Sequence, residues 1–186
     1  ADAALSAWLQ HAWLEKEKRY MGMVSVAGGE HVTDITTDYQ PRIYSDIWFA
    51  RFPGHDYAIH AAYASVMLYE LTQRSIYLEA IARWTDVIEN SPVPEYCKDG
   101  HGAYAEVYGR IIRFFCYAAK ITGDERHRER AHMYGQMAIK DLWSGEMFCG
   151  HKGENRYEAT DGVGWLLLAL LELDTGHRPH LYGMCG

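Results

Sequence analysis

Apolar and polar positions from residue 54 onward repeat as one unit used two and a half times. The first unit starts "GHDYAIHAAYASVMLYELTQ" and continues "RSIYLEAIARWTDVIEN". The second starts "GHGAYAEVYGRIIRFFCYAAKITG" and continues "DERHRERAHMYGQMAIKDLW". The third, "YEATDGVGWLLLALLELDTG", is followed closely by the end of the sequence. Leu71-Thr72-Gln73, Ile121-Thr122-Gly123 and Asp174-Thr175-Gly176 fall at the same place in each unit. Gly123 and Gly176 suit the left-handed residue that closes a helix. Repeats of this length mean stacked supersecondary units.

The two halves of a unit differ. Val163, Leu166, Leu167, Leu170, Leu171 and Leu173 cover more than one stripe of the third unit's first helix. A helix apolar on most sides needs neighbours all round. The second helices are one-sided: Glu79, Arg83 and Asp86 share a face, and Ala131, Tyr134, Ala138 and Leu142 make the opposite kind of face in the next unit. The pattern predicts an all-α chain of layered α/α hairpins, with surrounded inner helices and one-sided outer ones.

The N-terminal quarter reads differently. "ALSAWLQHAWLEKEKRY" predicts a helix with Leu5, Trp8, Leu9, Ala12 and Trp13 on one face. "MGMVSVAGG" alternates briefly and reads as a short strand or a loop. "HVTDITTDYQPRIYSDIWFARFPG" reads as a long ordered loop with short strand or helix pieces, packed by Trp48 and Phe49. Loops that long are usually functional. The expectation is a single domain, 1–186, with a helix and long loop over 1–53 and hairpins over 54–186.

At 186 residues the chain is long enough for one core and hardly more than one domain. With 48% apolar and 23% charged residues it has a globular composition. A net charge of −7 and the lack of a basic stripe argue against a nucleic-acid partner. No apolar run reaches the length of a membrane span; "WLLLALLELD" is short and bounded by charges. Cys97, Cys116, Cys149 and Cys185 form no CxxC pair and no dense disulfide framework. Cys116 reads as a buried small hydrophobe, while Cys97 and Cys149 sit in loops, able to pair, bind a metal or stay free. The start, "ADAAL", is compatible with a cleaved leader or with a trimmed terminus, so the compartment is open, with an extracellular or periplasmic setting slightly favoured.

Each inner helix is preceded by a cluster of reactive side chains. The first cluster holds Arg51, His55, Asp56 and Tyr57. The second holds Lys98, Asp99, His101 and Tyr104. The third holds His151, Lys152, Glu154, Arg156, Tyr157, Glu158 and Asp161. In a layered arrangement the inner helices start at one end, so the clusters should meet at one rim, where helix starts favour anionic ligands. Asp56, Asp99 and Asp161 also suit ordinary helix caps; the His and Tyr beside them are what caps do not explain. His60 reads as a packed or surface residue, His127 and His132 as solvated, and His177 and His180 carry no assignment.

The segments "LTQRSIYLEAIARW" and "ITGDERHRERAHMYGQMAI" resemble the hairpins of α/α-toroid enzymes, the six-hairpin type of many glycoside hydrolases, polysaccharide lyases and sugar epimerases. The resemblance spans roughly residues 54–176 and implies a partial (α/α) toroid acting on carbohydrate. A full toroid needs a substantially longer chain. The expectation is therefore a partial toroid, a piece of a longer polypeptide, or one of several copies that build a cavity together.

For such a substrate, hydrolysis needs two carboxyl groups flanking the bond, from Asp56, Glu158 and Asp161. Elimination from a uronate needs a base such as His55, Tyr57, His101 or Tyr104, and a cation such as Arg51, Lys98 or Arg156 beside the sugar carboxylate. The catalytic set expected is His55, Asp56, Tyr57, His101, Tyr104, Glu158 and Asp161. Arg51, Lys98, His151, Arg156 and Tyr157 are expected to bind substrate, with no cofactor and no metal. Two alternatives stand beside this: a zinc-dependent toroid resembling lanthionine cyclases, using Cys97 with His101 and Cys149 with His151, and a non-catalytic helical scaffold.

Overall fold

A computed structural model describes residues 2–33, 44–49, 58–98 and 101–179. The described residues are mostly helical, with one two-stranded antiparallel sheet. The all-α expectation holds at this level. Among the described residues no helix is long and apolar enough to cross a membrane. The chain divides into two compact units. One comprises residues 1–94 and 98–102; the other comprises residues 95–97 and 103–186.

In the first unit, α1 (Asp2–His11) is followed by β1 (Trp13–Leu14), β2 (Arg19–Tyr20), α2 (Ile59–Thr72) and α3 (Ser75–Glu89). The N-terminal helix is shorter than its amphipathic pattern predicts. It stops at His11, and residues 13–20 turn back as a hairpin that pairs Trp13 with Tyr20. Lys18, at φ 50°, takes the left-handed conformation in that turn. The hairpin brings Tyr20, fully buried, onto Trp8 at 4.9 Å and Trp84 at 4.5 Å between ring centroids. This aromatic packing overrides the helical periodicity of Trp13. Met21 and Val24, in the stretch read as a strand or a loop, make only isolated bridges to Tyr44 and His31. Trp48 is buried as expected, and its indole N–H donates to the Ser91 carbonyl at 3.1 Å.

α2 and α3 form the first hairpin, and α1 packs on α3. Asp2 anchors α1 by accepting from Arg74 and from the Tyr77 hydroxyl at the start of α3. α3 is one-sided as the pattern predicts: Tyr77, Ala80, Ile81, Trp84, Val87 and Ile88 are buried, while Arg83 and Glu79 pair on the opposite side.

In the second unit, α4 (Ala105–Thr122) packs against both α5 (Glu125–Leu142) and α6 (Val163–Thr175), and α5 and α6 touch little. α4 is the surrounded helix: Val107, Tyr108, Ile111, Ile112, Phe114, Phe115 and Ala118 are all fully buried. It runs antiparallel to α5, with Phe115 stacked on Tyr134 at 5.8 Å and the Tyr108 hydroxyl donating to Asp141 at 2.8 Å. It runs parallel to α6, with Gly109 against Trp165 and Leu166 and Arg113 bonded to Glu172.

Three expectations change here. His127, read as solvated, is buried and stacks on Phe115 at 5.9 Å, because its position on α5 faces α4. α6 is not wrapped on all sides: Leu166 and Ala169 are buried, whereas Leu167 and Leu171 are about half exposed. Cys116, expected to be buried, is only partly covered. Cys97, Cys116 and Cys149 are free thiols; Cys185 lies outside the described residues.

The repeat is physical as well as textual. Gln73, Gly123 and Gly176 all close their helices in the left-handed conformation, at φ 55°, 69° and 69°. Thr72, Thr122 and Thr175 each donate a hydroxyl bond to the carbonyl four residues back, at 2.6, 2.7 and 2.7 Å. Each of those hydroxyls also accepts from the backbone N–H two residues on. One turn design thus ends three helices.

Candidate functional site

The start of α4 organises a cluster in the second unit. The segment 149–152 runs beside residues 103–105: the Ala105 N–H donates to the Gly150 carbonyl at 2.8 Å, and the Lys152 N–H donates to the Ala103 carbonyl at 3.0 Å. This pairing sets His151 opposite Tyr104, ring edge to face at 5.3 Å. The chain then turns through Gly153, at φ 86°, and returns Glu154 to His151, with Nε2 and Oε2 2.5 Å apart. Glu154 Oε1 accepts from Arg156 at 2.7 Å, and Arg156 also bridges to Glu158 at 3.0 Å.

Asp161 completes the group from the 3₁₀ turn Ala159–Asp161 that precedes α6. Gly150 makes room for it, since a Cβ there would overlap the Asp161 carboxylate. Gly162, at φ 78°, lies against Glu106 of α4 and starts α6 beside the start of α4. One ligand atom each from His151, Glu154 and Asp161 lies within 4.8 Å of the other two. All three side chains are partly buried.

The electrostatics are those of a partly desolvated acidic corner. Burial pushes the Tyr104 phenol up to about 12, with the Cys97 thiol and the Asp161 and Glu154 carboxylates adding to the shift. Burial likewise raises the Cys97 thiol to about 11. Tyr104 is thus a protonated donor over the ordinary pH range, and Cys97 is a thiol, not a reactive thiolate. Lys152 turns its amine to Asp141 of α5 at 3.3 Å, the carboxylate that also accepts from Tyr108.

The second and third clusters read from the sequence are therefore joined in part. Tyr104, His151, Glu154, Arg156, Glu158 and Asp161 form one connected group in the second unit. Tyr157 is exposed beside it. Lys98 and His101 belong to the first unit, where their backbones bond each other and His101 Nε2 lies 3.4 Å from Asp46. Arg51, His55, Asp56, Tyr57 and Asp99 lie outside the described residues.

Two features escaped the sequence reading. In the sequence Glu154 stands as one member of its cluster, three residues after His151. Gly150, directly before His151, signalled a close approach with no hint of what approaches. Among the described residues, the group of three or more such ligands that is gathered holds an imidazole and two carboxylates.

Comparison with protein-family models, with curated proteins and with solved structures finds no match. The site is accordingly read from its own chemistry.

Proposed function

We propose that the chain is a carbohydrate-active enzyme of partial α/α-toroid architecture that cleaves a uronate-containing polysaccharide or oligosaccharide. Elimination is favoured over hydrolysis. The observation that carries the reading is the Tyr104–His151 contact at 5.3 Å, set at the mouth of a parallel helix pair beside Glu154, Arg156 and Asp161.

In elimination one group takes the proton next to the uronate carboxylate and another returns a proton to the departing oxygen. Tyr104, protonated and partly desolvated, has the second role. A carboxylate of the 154–161 loop has the first. Arg156, exposed and already holding Glu154 and Glu158, is placed to meet a sugar carboxylate as charge develops.

Hydrolysis with inversion fits less well. Inversion needs carboxyl groups roughly 6.5–9.5 Å apart with room for water. Glu154 and Asp161 instead bring oxygens within 4.8 Å of each other and of a His151 ring nitrogen.

The test is a screen of acidic polysaccharides that follows unsaturated-uronate absorbance and reducing-end release together. Elimination raises both, and Tyr104→Phe removes both while leaving the fold intact. Reducing ends without absorbance would replace elimination by hydrolysis. No release from any acidic or neutral glycan would overturn the reading.

A further inference from the structure

His151, Glu154 and Asp161 raise a question that sugar chemistry leaves open. Nδ1 of His151 lies 3.2 Å from the Lys152 carbonyl. A carbonyl only accepts, so Nδ1 carries a proton, and Nε2 faces the other way, with a lone pair whenever the ring is neutral. There it meets Glu154 Oε2 at 2.5 Å. That oxygen is fully buried and makes no hydrogen bond among the described residues, so the approach lacks hydrogen-bond geometry. With the ring neutral both atoms are acceptors, and the approach calls for a positive charge shared by them, a proton or a bound cation. A second carboxylate, Asp161, is drawn to the same point over Gly150, the one residue type whose backbone leaves space for it.

We propose that His151, Glu154 and Asp161 bind a divalent transition-metal cation. One imidazole nitrogen and two carboxylate oxygens suit borderline ions such as Zn²⁺ or Mn²⁺, whereas Ca²⁺ and Mg²⁺ favour all-oxygen sets. The surrounding contacts are those a metal site uses. The Lys152 carbonyl fixes the imidazole tautomer, and Arg156 holds the remaining oxygen of Glu154 at 2.7 Å. Three protein ligands leave further coordination positions to water or to a ligand. The two carboxylates balance the charge of the ion.

A plain imidazolium–carboxylate pair is the rival. It uses His151 and Glu154 alone, whereas a bound ion would use Asp161 as well. A catalytic use of the ion, as the charge that meets a uronate carboxylate beside Tyr104, rests on the elimination reading; the binding of the ion does not.

The experiment uses the full chain, stripped with chelator and titrated with Mn²⁺, with free Mn²⁺ followed by its paramagnetic resonance signal and Zn²⁺ as competitor. One saturable Mn²⁺ per chain, displaced by Zn²⁺, is expected. Asp161→Asn, nearly isosteric, and His151→Ala each weaken it by at least about tenfold. His132→Ala, at an exposed histidine of α5, leaves it unchanged. Circular dichroism shows whether each variant is folded, and Asp161→Asn decides if His151→Ala is not. Absence of a saturable site, or unchanged binding by folded Asp161→Asn, overturns the proposal. Mn²⁺ binding without cleavage of any polysaccharide would retain the site and discard the elimination reading.

Discussion

Asp124 starts α5 by accepting from the backbone N–H of Arg126 at 3.0 Å and from the Arg126 guanidinium at 2.6 Å. The corresponding place before α3 is Arg74, which makes no side-chain cap. α3 and α5 therefore start by different means, although their sequences occupy the same position in the repeat. The Arg126 bonds hold the Asp124 carboxyl below its ordinary 3.8, at about 2. The sign follows directly. Between 3.8 and about 2 the unfolded chain binds more protons than the folded one, so stability rises with pH in that window. The contribution is complete above the ordinary value and lost as pH falls through the lower one. Asp124→Asn should flatten that part of the acid-unfolding profile, followed by far-ultraviolet circular dichroism, while leaving its shape above pH 5 unchanged. A profile with the same acid slope in the variant would show that the Arg126 contacts do not shape acid stability.

At the scale of elements, the contact that fixes α4 against α6 is made where a side chain is missing. A Cβ on Gly109 would lie 2.8 Å from the backbone N of Leu166 and from the carbonyl C and O of Trp165. Backbone cannot swing aside as a side-chain end does, so the helices would have to part. Gly109→Ala should destabilise the chain by about 2–3 kcal/mol, read as a lower urea midpoint at unchanged slope. Gly164, in α6 with open space where its Cβ would go, is the control. Gly164→Ala should be neutral or stabilising by up to about 1 kcal/mol, because alanine is the better helix former. If both changes were neutral, the close helix approach would be wrong. The apolar character of α4 was legible in its sequence. The role of Gly109 was not, because a glycine inside an apolar run looks the same whether it meets solvent, a side chain or another backbone.

Across the whole molecule, what the sequence reveals follows the range of the interactions involved. The helix ends at Gln73, Gly123 and Gly176 were readable because their bonds stay within a few residues. The hairpins α2–α3 and α4–α5 were readable because short turns join them. The hairpin at residues 13–20 was not, since its stability comes from Trp84, far along the chain. The meeting of Tyr104 with His151 was foreseen only as a shared rim; its cause is the strand-like pairing of 103–105 with 149–152, which no periodicity announces.

A further long-range case is the buried pair of Arg113 and Glu172, bonded at 2.9 Å with about a tenth or less of each side chain exposed. In sequence Glu172 is one acid in "LLELD", and nothing marks it as interior. Arg113 also lies over the Trp165 ring at 5.8 Å, so its charge is enclosed by α6 on two counts. Removing one partner leaves the other charged in a poorly solvated place. Glu172→Ala should cost about 3–5 kcal/mol, whereas Arg113→Met combined with Glu172→Leu should cost far less than that single change. Guanidinium unfolding of the two variants tests this. A Glu172→Ala midpoint equal to that of the unaltered chain would mean that the Arg113 charge is met without Glu172.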